Sequence, residues 1–280
     1  MFILFNCKDS KNKLTKEVEH FNHTSKTYLF KLSIPIFFSN IAIPFVGLVD
    51  TGLMGHLSSE KFLAAISIAT SVITMIFWSF GFLRMGTVGL IAQSLGKKDW
   101  NEITLIFVRN LILALFIGFF LILLKSPILL LIEHFFKTSQ ETQFLIKNYI
   151  SIRIYSAPAE LVLYVLTGLY LGLQKTKTVS LAISIFCIGN IILSSIFVIH
   201  LDLEIIGAAA GTLISAYITV ILFLFISYLQ LKSKFYGSLT SIKIFNVKKI
   251  FRLFNINIDI FIRTIFLTFS FLWFTYQSAK

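Results

Sequence analysis

Between Lys31 and Asp50 the chain runs for eighteen residues without a single charge, and stretches of this kind recur along its length. A helix that crosses the hydrocarbon core of a bilayer needs roughly 20 mostly apolar residues. Apolar residues make up 56% of the 280, charged residues 14%, and the mean hydropathy is +0.85. A soluble domain of this size has too little interior to hide that much apolar surface, whereas a bilayer accepts it. The sequence therefore predicts an all-α, polytopic membrane protein.

The apolar runs predict seven transmembrane helices, at about 32–54, 62–95, 103–124, 148–173, 178–201, 205–231 and 253–278. A shorter apolar piece at 128–132 is too brief to cross and is expected at the interface. The polar, basic stretch 1–31 reads as a cytoplasmic tail and not as a secretory signal, because it has neither a sufficient apolar region nor a small-residue cleavage site. Lysine and arginine counts set the orientation. Sixteen fall in the tail, the 96–101 and 174–177 loops and a basic connector at 232–252, against four (Lys61, Lys125, Lys137, Lys147) in the alternate connections. The positive-inside rule then puts the tail and the connector in the cytoplasm. The same distribution accounts for the net charge of +12 without nucleic acid, since the basic residues gather in short connections and not in a stripe interleaved with aromatics.

Polar groups inside the spans carry a cost. A charged aspartate near mid-bilayer costs roughly 2.5–3.5 kcal/mol, which makes Asp50 the most informative position. Two readings stand: a carboxyl held out of water that carries a proton, or a hydrated group near the outer interface. Pro44, six residues earlier, removes an intrahelical hydrogen bond and is expected to hinge the first span; Pro158 stands similarly in the fourth. Asn190 and Ser194 share one face of the fifth span, where they either coordinate a cation or bond a neighbouring helix. Thr212 ends Gly207-Ala-Ala-Ala-Gly-Thr212, a small-residue face suited to close helix packing. Arg84 lies on the second span, Arg109 and Arg153 are expected to snorkel to an interface, and Asp259 and Arg263 are spaced to pair. Cys7 and Cys187 make no disulfide framework. With no metal-ligand spacing, phosphate-cradling glycine loop or nucleophile beside a base, an enzyme is disfavoured and no cofactor or metal is expected.

Several segments resemble one family of exporters. Leu32-Ser-Ile-Pro-Ile-Phe-Phe-Ser-Asn40 and Gly47-Leu-Val-Asp50-Thr-Gly-Leu-Met-Gly55 resemble the opening of the multidrug and toxic compound extrusion (MATE) family. Phe80-Gly-Phe-Leu-Arg84-Met-Gly-Thr-Val-Gly89-Leu-Ile-Ala-Gln93 is similar to its DNA-damage-inducible protein F branch. Tyr164-Val-Leu-Thr-Gly168-Leu-Tyr-Leu-Gly172 and Asn255-Ile-Asn-Ile-Asp259 fit its fourth and seventh helices. The resemblance implies cation-coupled antiport, with proton or sodium as the coupling ion, of organic, cationic or amphipathic compounds across the bacterial inner membrane. It implies two six-helix lobes around a cleft, with 32–231 as the N-lobe and 253–280 as the start of the C-lobe. Asp50 matches the first-helix acid that couples ion movement to export, Asn190 and Thr212 match polar positions of the same N-lobe site, and Asn40, Arg84 and Ser194 are candidate cleft or structural polar residues.

Two departures qualify these implications. Many relatives carry an acid where this chain has Ser194, and one remaining carboxylate favours protons over sodium. The chain also stops near the seventh helix, so the C-lobe is expected to be missing and the product truncated. Alternating access needs two bodies around a midplane site, which leaves a non-transporting membrane fragment as the alternative expectation. A lipid-linked glycan flippase of the same superfamily is a third, disfavoured by the first-helix acid.

Overall fold

Hydrocarbon offers no partner for free backbone N–H and C=O groups, so apolar runs of this length satisfy them internally, as helices. The computed structural model bears this out over the residues it describes, which are 46–55, 60–136, 138–239 and 257–267, with positions 30, 33–35, 37, 41 and 270. In chain order the helices are α1 (Val46–Gly55), α2 (Glu60–Ser79), α3 (Phe82–Gly96), α4 (Trp100–Leu123), α5 (Lys125–Phe135), α6 (Gln140–Arg153), α7 (Ala157–Gly172), α8 (Thr176–Ser195), α9 (Glu204–Leu239) and α10 (257–267). A 3₁₀ turn, Ile154–Ser156, joins α6 to α7, and a π turn, Ile196–His200, extends α8.

Five stretches are long and apolar enough to cross a membrane: Glu60–Gly96, Trp100–Leu123, Gln140–Gly172, Thr176–His200 and Glu204–Gln230. These are the second to sixth predicted spans. The fourth begins earlier than predicted because Ser139 caps α6, its hydroxyl accepting the Thr142 N–H at 3.3 Å. Asp99 caps α4 in the same way, accepting from Glu102 N–H at 3.0 Å, after Lys98 turns the chain with φ 56°. Helix α9 continues to Leu239, into the stretch read as a connector. Nearly all of the tail, the connector beyond Leu239 and the flanks of the first and seventh spans lie outside the described residues.

The most extensive interfaces join α8 to α9, α3 and α4 to α7, and α2 to α6. A Cβ on Gly168 would lie 2.9 Å from the Arg84 carbonyl oxygen, so α3 and α7 meet almost backbone to backbone. Tyr170 and Phe223 stack at 5.1 Å in the core between α7 and α9. Helix α5 turns Leu130, Leu131 and Phe135 outward and Ile132 inward, as a short amphipathic helix would at an interface. Near the chain's other end Phe261 of α10 meets the Phe82 ring edge-on at 5.6 Å, while Asn257 is buried against Gly86. Asp259 and Arg263 are both exposed, and the ion pair that their spacing predicts is absent.

The sidedness of these helices is inverted relative to a soluble bundle. Leu181, Ile188, Ile192 and Ile199 of the α8 span, and Ile221, Phe225 and Leu229 of α9, face outward. Asn190, Ser194, Thr212, Ser215 and Thr219 of the same pair are buried. Apolar faces out and polar groups in is the arrangement that hydrocarbon solvent selects.

Candidate functional site

Asp50 sits on α1 with 5% of its surface exposed, inside the bundle. That rules against the reading of a hydrated group at the outer interface. Ser194 of α8 is in range of it, and α8 is joined to α9 by a polar contact one turn away. The Asn190 amide donates through Nδ2 to Thr212 Oγ1 at 2.7 Å, and that hydroxyl donates in turn to the Ala208 carbonyl at 3.0 Å. Gly211 makes this approach possible, since a Cβ there would stand 2.6 Å from the Ser194 nitrogen and Oγ. The small-residue face predicted for α9 is therefore used to bring the fifth and sixth spans together at the polar positions.

Three oxygens in this region are left over. Asp50 Oδ1, Asn190 Oδ1 and Ser194 Oγ are all buried without a hydrogen-bond partner. The Ser194 hydroxyl is close enough to the Asp50 carboxyl to interact with it, yet the two do not reach hydrogen-bond geometry. Stranding a buried polar atom costs about 1–3 kcal/mol, so three in one place mark a site kept for something other than stability. Immediately beyond Ser194 the helix widens into the π turn, where Leu201 N–H bonds to the Ile196 carbonyl at 3.2 Å. Such turns are rare and concentrate at functional sites.

A second buried cluster adjoins the first. Arg153, expected to snorkel, instead has 8% of its surface exposed. It forms an ion pair with Glu160 of α7 and donates to Ser156 Oγ, while its guanidinium carbon lies 5.4 Å above the Phe77 ring of α2. Arg109, given the same expectation, is also buried, with Glu102 3.9 Å from its Nη1. Both arginines stay inside because a carboxylate within two turns supplies a partner there. The Tyr149 phenol is fully buried and within electrostatic range of both Arg153 and Asp50. Arg153 and Pro158 are conspicuous in the sequence one by one, but their union with Glu160 is not. The available signal was the seven-residue spacing of Arg153 and Glu160, which puts both on one helix face.

The remaining candidates are dispersed. Arg84 is half-buried on α3, in range of Tyr164. Asn40 and Pro44 lie outside the described residues. An open depression of ≈ 470 Å³ is lined by Lys61, Phe62, Gln140, Glu141, Phe144 and Leu145, none of them from the Asp50 cluster. Among the described residues no group of three or more His, Cys, Asp or Glu comes together. Any ion bound at Asp50 would be held by one carboxylate, one amide oxygen and hydroxyls.

Membrane-crossing helices that turn apolar faces outward and enclose a carboxylate and an amide define an integral, multi-pass α-helical membrane protein. The family model described as MatE matches residues 35–196, and the chain belongs to that family. It is 35% identical over 199 residues to DNA damage-inducible protein F of Escherichia coli, covering 71% of this chain and 43% of that protein. It is 24% identical over 203 residues to the multidrug export protein MepA of Staphylococcus aureus, covering 70% of this chain and 45% of that protein. Its fold is similar to that of a multidrug resistance MATE family transporter of the MOP superfamily solved in an outward-facing conformation. That match has a TM-score of 0.78 at 22% identity and covers 88% of this chain and 54% of the other. The chain thus spans about half the length of the curated relatives it matches.

Proposed function

We propose that this chain is the N-terminal lobe of a proton-coupled exporter of organic, cationic or amphipathic compounds, with Asp50 as the proton carrier and the tail on the cytoplasmic side of the plasma membrane. The observation that carries the proposal is the buried Asp50 carboxyl, whose Oδ1 has no partner, with Ser194, itself unpartnered, in range on α8 and the unpartnered Asn190 oxygen one turn before it. A proton needs one acceptor atom and neutralises the carboxylate that binds it. A hard metal cation takes about six oxygens, more than the three left open here among the described residues. Ser194 in place of a second acid supports the same preference, because a hydroxyl adds an oxygen but no charge. Cycling Asp50 between neutral and ionised forms changes the electrostatic cost of keeping it in the bundle, and a change of that kind can drive one lobe to rearrange against another.

The test is proton-driven movement of a lipophilic fluorescent cation in proteoliposomes. It compares the chain alone with the chain joined to the C-terminal half of a full-length relative. Asp50→Asn, which keeps shape and removes titration, is expected to reduce gradient-driven movement at least tenfold in whichever form transports. Undiminished movement by that variant removes Asp50 from the mechanism. Movement only in the joined form supports the assignment of this chain as one lobe of two.

A further inference from the structure

The buried ion pair of Arg153 and Glu160 spans a break in the fourth membrane span. Arg153 ends α6, Ile154–Ser156 tightens to a 3₁₀ turn, and α7 begins with Pro158 in its first turn. Pro158 has no N–H to continue the ladder, and the structure compensates locally. The Ala157 N–H bonds three residues back to Ile154, and Tyr217 of α9 donates its hydroxyl to the Tyr155 carbonyl at 2.9 Å. The break rests on Gly118 of α4, where a Cβ would come within 2.5 Å of Pro158 Cα. The break is therefore built in, held by contacts from two neighbouring helices.

The polar staple across that break has one cation and, in range, two carboxylates. Glu160 holds the guanidinium now, and Ser156 supports the pair, its hydroxyl reaching the Arg153 carbonyl at 2.7 Å and Glu160 Oε1 at 3.2 Å. The field of Arg153 also reaches Asp50. The groups facing this cluster from each packed element are Asp50 on α1, the Phe77 ring on α2, Tyr149 on α6, and Ser194 on α8. Tyr164 on α7 and Arg84 on α3 stand beyond Glu160.

We infer that Arg153 is a positioning residue shared between Glu160 and Asp50, and that drawing its guanidinium toward Asp50 when Asp50 ionises loosens the staple across the Ile154–Ser156 break and changes the bend of the fourth span. This rests on the reading of Asp50 as a proton carrier. With Asp50 protonated, Arg153 and Glu160 form a closed neutral pair. With Asp50 ionised, two buried anions compete for one cation, and the lower-energy arrangement places the cation between them. The protonation state of the first helix is thereby written into the geometry of the fourth, across a joint that already lacks a continuous backbone ladder.

The test uses the whole chain in lipid nanodiscs, with Cys7→Ser and Cys187→Ser and spin labels at Phe144→Cys and Lys177→Cys, positions that bracket the bend and are exposed. The inter-label distance is measured as a function of pH. The parent chain is expected to show a pH-dependent change of distance, and Asp50→Asn to lose it. Glu160→Gln releases Arg153 to Asp50 and is expected to move the midpoint to more acid pH by about tenfold in proton concentration. The double variant Arg153→Met with Glu160→Gln replaces the pair by neutral groups of similar volume, which leaves no buried charge stranded and preserves the fold. It is expected to abolish the transition or move it to more alkaline pH by at least about tenfold. If Asp50→Asn abolishes the change but the double variant keeps both amplitude and midpoint, Arg153 has no such role, while the reading of Asp50 stands. A change that survives Asp50→Asn removes the proton-carrier reading, and this inference with it.

Discussion

At the scale of single residues, the polar interior separates groups that are spent on structure from groups left open. Thr212 Oγ1 is spent: it accepts from Asn190 and donates to Ala208. Thr212→Val keeps the shape and strands the Asn190 amide, so it is expected to destabilise by about 1 kcal/mol. Thr219→Val serves as the control, because that hydroxyl only bonds back to Ser215 within its own helix at 2.7 Å, and it is expected to cost much less. Both are measurable by heating the detergent-solubilised chain, with Cys7→Ser, against a thiol-reactive dye that reports when the buried Cys187 becomes accessible. Legibility in the sequence also divides at this scale. Asn190, Ser194 and Thr212 were readable because polar residues in apolar runs stand out, and Asp50 for the same reason. Whether Asp50 met water or protein was not readable, because that depends on where α8 and α9 lie. The burial of Arg153 was misjudged because an arginine's reach permits either an interface or a partner, and only the fold shows that Glu160 and Phe77 are waiting.

Elements add a constraint that single residues do not express, which is how closely two helices approach. Gly211 and Gly189 lie on neighbouring helices of the same pair, yet they differ sharply. A Cβ at Gly211 would meet Ser194 at 2.6 Å, whereas one at Gly189 would meet only Ser215 Cβ at 3.6 Å, an ordinary contact. Gly211→Ala is therefore expected to push α9 from α8 and destabilise by about 1–3 kcal/mol. Gly189→Ala is expected to be neutral or slightly stabilising, since alanine favours helix by about 1 kcal/mol. The same thermal assay separates the two, and equal effects would mean that helix propensity, not approach, governs this interface. The five described spans were legible because each is a long apolar run bounded by charge. The 3₁₀ break was half legible, through Pro158. The π turn at Ile196–His200 had no sequence signal, since no proline or glycine falls within it.

For the whole molecule, sidedness is the property that the helices jointly determine. The asymmetry in lysine and arginine supports a cytoplasmic tail, which would place the Lys97–Lys98 turn inside and Asp202 outside. Both positions are exposed. In a background with Cys7→Ser and Cys187→Ser, a membrane-impermeant maleimide is expected to label Asp202→Cys in intact cells and Lys97→Cys only after the membrane is opened. The reverse pattern would invert the topology and turn the Asp50 site toward the other compartment. Beyond this plan, the wide turn after Ser194 sets the angular phase between two parts of one rod. Each residue of an α-helix advances the side-chain direction by about 100°. The surplus residue at Ile196–His200 therefore swings everything after it by roughly that angle relative to Asn190 and Ser194. Removing one residue there would restore a regular rod, keep every neighbouring identity and aim Val198 and its successors at the wrong neighbours. A deletion of that kind alters no chemistry and misdirects the last turn of the span.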